Sequence, residues 1–416
     1  MIAFDSITIE PYCKPDLRPD TIWRDSTHID TIRQVPYTHF YPDNIILRGF
    51  TEEFQTLHLL KTERPNPDIF TIYFTGPSDT LPQLRGLNFD GAENFIVEHS
   101  LRNDTLTYWI TDTLVSNKDT LSVSLTYLDT DSLNQLVYKT DTLDLIAKIT
   151  RSKQKKELQD KIEAWEKEQK KEKRRLKENY TERENPNLKQ YLSYQAKPSG
   201  AIAPDQNITF TFSEPIAELD TTAFRFFKQK DTLWIEEPFL FLPVEEDLKS
   251  YVLYAEWHPD ERYRFEADSS AVRGILGQES TAFKKEISVN GEDNFSSLFV
   301  RLILPDTGAV VQLINSSDKV VRSVRAENNR ADFFYVTPGD YYLRLFIDKN
   351  GDGIWNTGLY EQNRQPEEVF YFPKPMALKA RWEIEQDWDV RGIPLDKQKP
   401  EAITQQKADK SKSSRR

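Results

Sequence analysis

The chain has 416 residues, of which 38% are hydrophobic, 12% aromatic and 29% charged, with a formal net charge of -12. This length predicts about two to four domains, each with its own core. The acidic balance argues against a nucleic-acid-binding protein, which would carry a basic domain rather than short basic runs. Because no stretch approaches about 18 consecutive apolar residues, we predict no membrane-spanning helix.

Cysteine and histidine usage excludes several kinds of site. Cys13 is the only cysteine, so the chain has no internal disulfide and no multi-cysteine zinc site. The 5 histidines are scattered without the spacing of a metal site or a catalytic triad. The opening residues lack a basic segment followed by an apolar run, so they do not have the pattern of a signal peptide.

The first part of the chain, residues 1–148, alternates apolar stretches with turn signals. The tripeptide Asp-Thr-Leu recurs, and we interpret it as a turn-closing Asp followed by residues that favour a strand. Between Leu121 and Leu128 every second residue is apolar or aromatic, which is typical of a half-buried antiparallel strand. Strands at this spacing predict a β-rich domain over residues 1–148.

Residues 149–186 have a different composition, dominated by Lys, Glu, Gln and Arg. We predict a solvated helix of about 24 residues, roughly 36 Å long. The apolar stripe of Leu158, Ile162 and Trp165 ends after barely one heptad. A partner-binding coiled coil is the alternative, but it would need a sustained heptad pattern. The interpretation we favour is a charged helical connector.

Strand patterns return in two further blocks, residues 187–294 and residues 295–392. Alternation is clear in Ile208–Phe212 of the first block and in Tyr341–Ile347 of the second. Residues 393–416 are polar and basic without periodicity, so we expect a disordered tail. The predicted fold class is therefore all-β, with tandem sandwiches, one helical connector and a disordered C-terminal tail.

Two segments resemble known families. "PDQNITFTFSEPI", from Pro204, and "YRFEADSSAVRGILGQ", from Tyr263, resemble the bacterial Ig-like domain first known from surface-layer proteins. "TPGDYYLRLFIDKNGDGIWNTG", from Thr337, resembles the transthyretin-like, collagen-adhesin-B-type β-sandwich. Together they resemble Gram-negative cell-envelope proteins with Ig-like domains, well over residues 187–392 and loosely over 1–148.

That resemblance implies a location and an organisation. Proteins of this kind carry a lipoprotein signal and a further Ig-like domain, so we expect this chain to begin within a longer protein. The opening "MIAFDSITIEP" resembles the closing strand of an earlier transthyretin-like unit, as Glu367–Lys379 closes the later one. The implied location is the periplasm or the outer-membrane surface, and an in-frame signal sequence upstream would establish it.

The stretch "DKNGDGIWNTG" has the opening pattern of a calcium loop. Asp348, Asn350 and Asp352 occupy alternate positions, and Ile354 would offer its carbonyl oxygen. An EF-hand loop closes with a bidentate Glu at its twelfth position, where this chain has Leu359. Two alternatives stay open: weak calcium binding through these four residues, at about 10⁻⁴–10⁻³ M, or a turn in which Asp and Asn bond their own backbone.

Two other kinds of site were considered. A sugar-binding sandwich stacks its ligand on exposed aromatic rings, and the candidates are Trp257, Trp355, Trp382 and Trp388. A hydrolase would need clustered acid and base groups, and the one local cluster is His258–Arg262, which a turn explains. No recognised nucleophile, zinc or phosphate-binding motif is present.

We therefore predict a non-enzymatic cell-envelope protein, serving as an Ig-like spacer or adhesion module without a cofactor. A carbohydrate-binding accessory protein is the first alternative, and a hydrolase with an unrecognised site is the second. The expected partners are envelope proteins or surface glycans, and we expect the chain itself to be a monomer.

Overall fold

The fold is described from a computed structural model of the full chain. It describes residues 2–4, 12–23, 28–41, 48–50, 56–177, 181, 183, 185–186, 189–245, 247–303, 307–360 and 362–404. By their internal contacts the residues form two compact units. One unit contains residues 55–296 and 380–382, and the other contains residues 1–54, 297–379 and 383–416.

The N-terminal strands are β1 (Ile2–Phe4), β2 (Tyr12–Trp23), β3 (Ile29–Tyr41) and β4 (Arg48–Phe50). β2 and β3 form a long antiparallel hairpin, and β1 pairs with β4. Phe50 is buried, and its ring lies so close to Gly358 that a Cβ there would approach it to 2.7 Å. These strands thus group with the C-terminal residues, which differs from the expected domain of residues 1–148. Local strand patterns do not reveal such a long-range contact.

The first sandwich, residues 57–147, has a four-stranded sheet in the order β5-β6-β9-β8 and a three-stranded sheet in the order β11-β10-β7. Its elements are β5 (Leu59–Asn66), β6 (Ile69–Phe74), β7 (Gln83–Gly86), a 3-10 turn (Ala92–Asn94), β8 (Ile96–His99), β9 (Thr105–Trp109), the short helix α1 (Thr113–Ser116), β10 (Thr120–Thr130) and β11 (Leu136–Ile146).

The core of the first sandwich follows the predicted alternation. Leu121, Val123 and Leu125 of β10 are fully buried, while Ser122, Ser124 and Thr126 between them are not. Each such buried side chain contributes about 1.5–3 kcal/mol of hydrophobic stabilisation. The prediction of a half-buried strand at Leu121–Leu128 is confirmed.

Arg64 is a buried charged residue in this sandwich, only 2% exposed. Its Nη1 donates to the carbonyl oxygens of Asp119 and Leu145, each at 3.2 Å. Its Nη2 donates to the carbonyls of Pro67 at 3.0 Å and Ser116 at 3.3 Å. One guanidinium therefore joins both sheets and the loop after α1, satisfying backbone acceptors that water cannot reach.

The connector is the helix α2, Arg151–Leu176. Thr150 caps its N-terminus by accepting a hydrogen bond from the Lys153 N–H at 3.3 Å. Most of its side chains are exposed, in agreement with its charged composition. Among the described residues, no helix combines the length and apolar character needed to cross a bilayer.

The second sandwich, residues 191–289, contains sheets in the orders β12-β22-β21-β15, β13-β14-β19-β18 and β17-β16-β20-β23. Its elements are β12 (Tyr191–Leu192), β13 (Tyr194–Lys197), β14 (Ile208–Phe212), β15 (Ile216–Leu219), a 3-10 turn (Thr221–Ala223), β16 (Phe224–Lys230), β17 (Leu233–Glu236), β18 (Phe239–Val244), β19 (Asp247–Ala255), β20 (Arg262–Ala267), β21 (Val272–Gly274), β22 (Glu279–Ser280) and β23 (Phe283–Ser288).

Aromatic rings fill the core of the second sandwich. Phe210 is completely buried, and its ring centroid lies 5.4 Å from that of Phe265 and 5.6 Å from that of Phe241. Both contacts have the edge-to-face geometry that aromatic pairs favour. The high aromatic content of the chain is used here for packing.

The third sandwich, residues 297–390, has sheets in the orders β27-β24-β31 and β26-β25-β28-β29, with β30 also paired to β28. Its strands, which follow a 3-10 turn (Glu292–Asn294), are β24 (Ser296–Ile303), β25 (Ala309–Ile314), β26 (Val320–Arg325), β27 (Arg330–Val336), β28 (Gly339–Ile347), β29 (Val369–Tyr371), β30 (Met376–Leu378) and β31 (Glu383–Asp389). The predicted all-β fold class is confirmed.

The expected disordered tail, residues 393–416, begins with ordered structure. A 3-10 turn (Leu395–Lys397) and the helix α3 (Glu401–Thr404) follow the last strand. The buried amide of Gln398 bonds to the Tyr371 N–H, and Ile403 packs in an apolar cluster of the third sandwich. These two anchors correct the expectation for residues 393–404, and residues 405–416 lie outside the described part of the chain.

Candidate functional site

The predicted calcium loop follows β28 and is built around the buried carboxylate of Asp348. Its Oδ1 accepts a hydrogen bond from the Gly351 N–H at 2.7 Å. Its Oδ2 accepts from the Gly353 N–H at 2.9 Å and forms an ion pair with Arg325. Both oxygens are thus engaged by donors from the protein.

The other residues of the predicted calcium set lie in the same turn. Asp352 accepts hydrogen bonds from the Ile354 N–H at 2.8 Å and from the Asn350 side chain at 2.9 Å. The Asn356 side-chain amide also donates a hydrogen bond to Asp352 at 2.9 Å. This bond is the main cause of the lowered pKa of the Asp352 carboxyl. The Ile354 carbonyl, the predicted fourth ligand, accepts from the same amide at 2.9 Å.

Glu367, which the sequence analysis did not identify, closes this loop. It is 7% exposed, and its carboxylate accepts from the Lys349 N–H at 2.8 Å and the Asn356 N–H at 3.0 Å. Its carbonyl accepts from the Trp355 indole at 3.0 Å. The expected closing position, Leu359, instead forms a backbone bridge with Arg364. No local spacing rule connects Glu367 to the loop.

The loop is therefore arranged as a hydrogen-bonded turn. Among the residues that the structure describes, no group of three or more His, Cys, Asp or Glu side chains is placed to hold a metal ion. As arranged, the carboxylates do not fit a calcium site, because an ion at Asp348 would have to displace Arg325. Calcium binding by Asp348, Asn350, Asp352 and Ile354 stays a prediction.

The four candidate sugar-binding aromatics fall into two classes. Trp257 and Trp388 are core residues, 7% and 2% exposed. Trp355 and Trp382 are 44% and 46% exposed and belong to different compact units. Half of the predicted aromatic set is thus used for packing.

The segment His258–Arg262, the single candidate for acid-base chemistry, is a turn that leads into β20. The Tyr263 hydroxyl accepts from the His258 N–H at 2.9 Å and donates to the Glu256 carbonyl at 3.0 Å. The His258 ring lies 3.8 Å from the largely exposed Glu256 carboxylate. This arrangement orders a loop and aligns no nucleophile with a base.

Charged and aromatic side chains meet at the contact between the first two sandwiches. Lys249 of β19 lies 2.8 Å from Glu98 of β8, and both side chains are mostly buried. The other Glu98 oxygen accepts from the Trp109 indole at 3.2 Å, and the Lys249 ammonium lies 5.8 Å from the Trp109 ring centroid. One carboxylate, one cation and one aromatic ring thus connect the two domains.

The N-terminus of helix α2 is fixed to the first sandwich beside this contact. The Arg151 guanidinium forms a two-pronged ion pair with Asp68 and donates to the Ser116 hydroxyl at 2.9 Å. Arg-carboxylate pairs of this geometry are strong and directional. We call the two contacts, Lys249 with Glu98 and Trp109, and Arg151 with Asp68 and Ser116, the junction.

A cavity of about 590 Å³ lies at the junction. Its walls come from the first sandwich, helix α2 and the second sandwich: Asn66, Asp68, Ile69, Trp109, Arg151, Gln154, Lys155, Glu157, Leu158, Lys161, Gln190, Ser193, Ser213, Glu214, Leu276 and Gln278. The charged side chains that line the cavity include both acidic and basic residues, and two of them, Arg151 and Asp68, already form an ion pair with each other.

Glu214, in the "FSEPI" segment, is 2% exposed at the wall of this cavity. Its Oε2 accepts from the Leu276 N–H at 2.9 Å, while its Oε1 has no hydrogen-bond partner in the described structure. A Cβ on Gly274 would come within 2.1 Å of that oxygen, so the glycine is needed to accommodate the carboxylate. Burial raises the pKa of Glu214.

Comparison with known proteins gives only distant likenesses. No protein-family model and no curated protein matches the sequence. Among solved structures, the N-terminal part of the bacterial S-layer protein SbsC is 15% identical, with a TM-score of 0.23 over 38% of this chain. The chain spans 42% of the length of that structure.

Two further solved structures are similar at the same low level. An I-band fragment of titin is 10% identical, covering 79% of this chain and 94% of the fragment, with a TM-score of 0.15. A fragment of protocadherin gamma B2 with extracellular cadherin domains is 8% identical, covering 68% of this chain and 66% of the fragment, with a TM-score of 0.14. Likenesses this distant carry no argument, and the β-sandwich description rests on the sheets themselves.

Proposed function

We propose that this chain is a non-enzymatic spacer or adhesion module of a bacterial cell envelope. The observation that carries the proposal is the junction, where Lys249, Glu98 and Trp109 connect two sandwiches by an ion pair, an indole hydrogen bond and a cation–π contact. A spacer needs neighbouring domains held in one orientation, whereas independent domains on a flexible linker would move freely.

Helix α2 supports the same proposal. Arg151 fixes the start of the helix to the first sandwich through Asp68 and Ser116. The linker between the first two sandwiches is therefore attached at its beginning by directional contacts. A connector that only joined two domains would not need them.

The envelope location rests on the resemblance of the "FSEPI" and "PGDYYLRLFIDKNGDG" segments to envelope proteins. It is tested by labelling intact cells with an amine-reactive biotin that does not cross membranes. We expect the lysine-rich helix α2 to be labelled, together with a known surface protein as control. Labelling that appears once the outer membrane alone is disrupted would indicate the periplasm. Labelling only after complete lysis would place the chain inside the inner membrane and overturn this part of the proposal.

A spacer also differs from the sugar-binding alternative in a direct assay. With Trp257 and Trp388 buried, the chain offers fewer stacking rings than the sequence suggests. We expect no specific signal from the purified chain on an array of bacterial surface glycans. Binding that is lost in a Trp355→Ala variant would favour the carbohydrate-binding function instead.

A further inference from the structure

The outer edge of the first sandwich is formed by β11, which pairs with β10 on one side. β11 has 11 residues in unbroken register with β10 and contains neither proline nor glycine. The other described edge strands are shorter or contain proline, as in β2, β3 and β18. A long straight edge is a template for pairing with another strand.

The backbone direction of β11 can be deduced from its neighbours. The Ala147 N–H donates to the Asp119 carbonyl at 3.0 Å, so odd-numbered residues at this end direct their backbone groups toward β10. On the other side of β10, the Ser122 carbonyl accepts from the Leu87 N–H, which directly follows β7. Ser122 therefore directs its backbone groups away from Asp144, the residue that faces it on β11. Both observations place the backbone groups of the even-numbered residues, including Thr140, on the open edge.

The side chains at the start of this strand are apolar and exposed. Leu136, Val137 and Tyr138 are 57%, 42% and 73% exposed. At the other end, the Lys148 N–H donates to the Arg64 carbonyl at 2.9 Å, so the open part of the edge lies before Lys148. Apolar side chains beside unpaired backbone groups suit an added β-strand.

The charged residues of this edge, Lys139 and Asp141, favour a second copy of β11 as the added strand. A lysine on an edge strand normally prevents pairing, because it faces an apolar or like-charged neighbour. Within one chain Lys139 lies 3.2 Å from Asp141 and 3.4 Å from Asp129. Lys139 and Asp141 are also complementary between chains, in an antiparallel pair of two β11 strands with Thr140 opposite Thr140. In that register Lys139 faces the partner's Asp141, and the partner's Lys139 faces Asp141.

Neighbouring registers lack this complementarity. A shift of two residues places Asp141 opposite Asp141 in one direction and Lys139 opposite Lys139 in the other. Like charges directly opposite each other destabilise a strand pair. The Thr140-centred register also places even-numbered residues in hydrogen-bonded pairs, in agreement with the backbone direction.

We propose that two copies of this chain associate through antiparallel pairing of β11, with a two-fold axis at Thr140. This replaces the expectation of a monomer and does not depend on the proposed function. The paired segment, residues 136–144 of each copy, is a small interface, so the dimer is weak and concentration-dependent.

The backbone part of the proposal is tested with Thr140→Pro in the full chain. Proline removes an N–H donor on the open edge but no backbone bond to β10, so the sandwich should keep its fold. It also removes the hydrogen bond of 2.8 Å between the Thr140 and Thr126 hydroxyls, as Thr140→Val does, so the valine variant controls for that loss. Sedimentation of the wild-type chain should show a dimer that grows with concentration, and Thr140→Pro should remain monomeric while Thr140→Val still dimerises. A wild-type chain that stays monomeric at its highest soluble concentration would overturn the proposal.

The register is tested by charge exchange. Lys139→Asp or Asp141→Lys alone places like charges in two symmetric pairs, so association should weaken at least about tenfold. The double variant restores complementarity and should recover most of the dimer. If the double variant dimerises no better than the single ones while circular dichroism shows intact folding, this register is wrong.

Cross-linking locates the axis independently. In a Cys13→Ser background, Thr140→Cys should cross-link rapidly with a short bismaleimide, because opposite Cα atoms lie about 5.5 Å apart in a hydrogen-bonded pair. Ser124→Cys is the matched control on β10, which lies three strand spacings, or about 14 Å, from the partner's β10 and is further offset along the strand from its symmetry mate. Equal yields at both positions would indicate random collisions and contradict the paired edge.

Discussion

Lys249 of the second sandwich and Glu98 of the first form an ion pair of 2.8 Å, and the remaining Glu98 oxygen accepts the Trp109 indole hydrogen. Because both charged side chains are mostly buried, water screens the pair less than a surface salt bridge. Removal of one partner would leave the other charge desolvated and unpaired. The pair therefore favours one orientation of the two domains.

The coupling between Lys249 and Glu98 can be measured with a double-mutant cycle of Lys249→Met and Glu98→Gln. We expect a coupling energy of about 1 kcal/mol in the unfolding free energy of residues 55–296. Lys284→Met with Glu266→Gln is the control, since that pair lies within the second sandwich. Additive effects of Lys249→Met and Glu98→Gln would show that the pair does not connect the domains energetically.

Arg64 should be among the residues that most affect the stability of the first sandwich. Arg64→Met leaves the carbonyls of Pro67, Ser116, Asp119 and Leu145 without this donor, which should lower the unfolding free energy by about 3 kcal/mol or more. Arg64→Lys should recover part of the loss. Chemical denaturation measures both, with the exposed Arg85→Met as control. A loss for Arg64→Met no larger than that of the control would refute this role.

The buried carboxyl of Glu214 should make the stability of the second sandwich depend on pH. Because burial raises its pKa above the usual 4.5, the folded state holds the proton more tightly than the unfolded state. Its stabilising contribution is complete below pH 4.5 and is lost as the pH rises through the folded-state pKa. Glu214→Gln should therefore gain stability relative to the wild type between acidic and neutral pH.

This change is best followed by hydrogen exchange of peptides from β14 and β21, which report on the second sandwich alone. Glu218→Gln on β15 is the control, because its carboxylate is 70% exposed. A difference between Glu214→Gln and the wild type that does not vary with pH would mean that Glu214 has the same pKa in both states.

The loop after β28 should depend more on Glu367 than on calcium. Glu367→Ala leaves the Lys349 and Asn356 N–H groups without their acceptor, and we expect a loss of about 1–3 kcal/mol. The exposed Glu385→Gln is the control. In the wild type, the melting temperature should be the same in chelator and in millimolar calcium, because Arg325 already neutralises Asp348.

A rise in melting temperature that saturates near 10⁻⁴–10⁻³ M calcium would instead establish the calcium alternative. Loss of that rise in Asp352→Asn would locate the ion in this loop. The same titration with Glu367→Ala would then separate an effect on the ion from an effect on the turn.

Local patterns predicted the strands and the connector well. The alternation in Ile208–Phe212 places Ile208, Phe210 and Phe212 in the core, and the charged composition after Thr150 forms the helix Arg151–Leu176. These properties depend on residues close in sequence, where side-chain periodicity and helix propensity act directly.

Contacts between residues far apart in the sequence could not be predicted from local patterns. Glu367 lies 18 residues from Lys349, and Lys249 lies far from Glu98, so no spacing rule relates them. Trp257 and Trp388 looked like exposed candidates because a sequence does not distinguish a core aromatic from a surface one. The polar residues that fix the loop and the junction became visible only with the fold.

The most direct test of the spacer account is the distance distribution between the first two sandwiches in solution. Spin labels on Leu101→Cys and Leu233→Cys, both at exposed positions, are measured by double electron–electron resonance in the Cys13→Ser chain. The account predicts one narrow distance in the wild type, clear broadening in Lys249→Met, and no broadening in the control Lys284→Met. A broad distribution in the wild-type chain would contradict it.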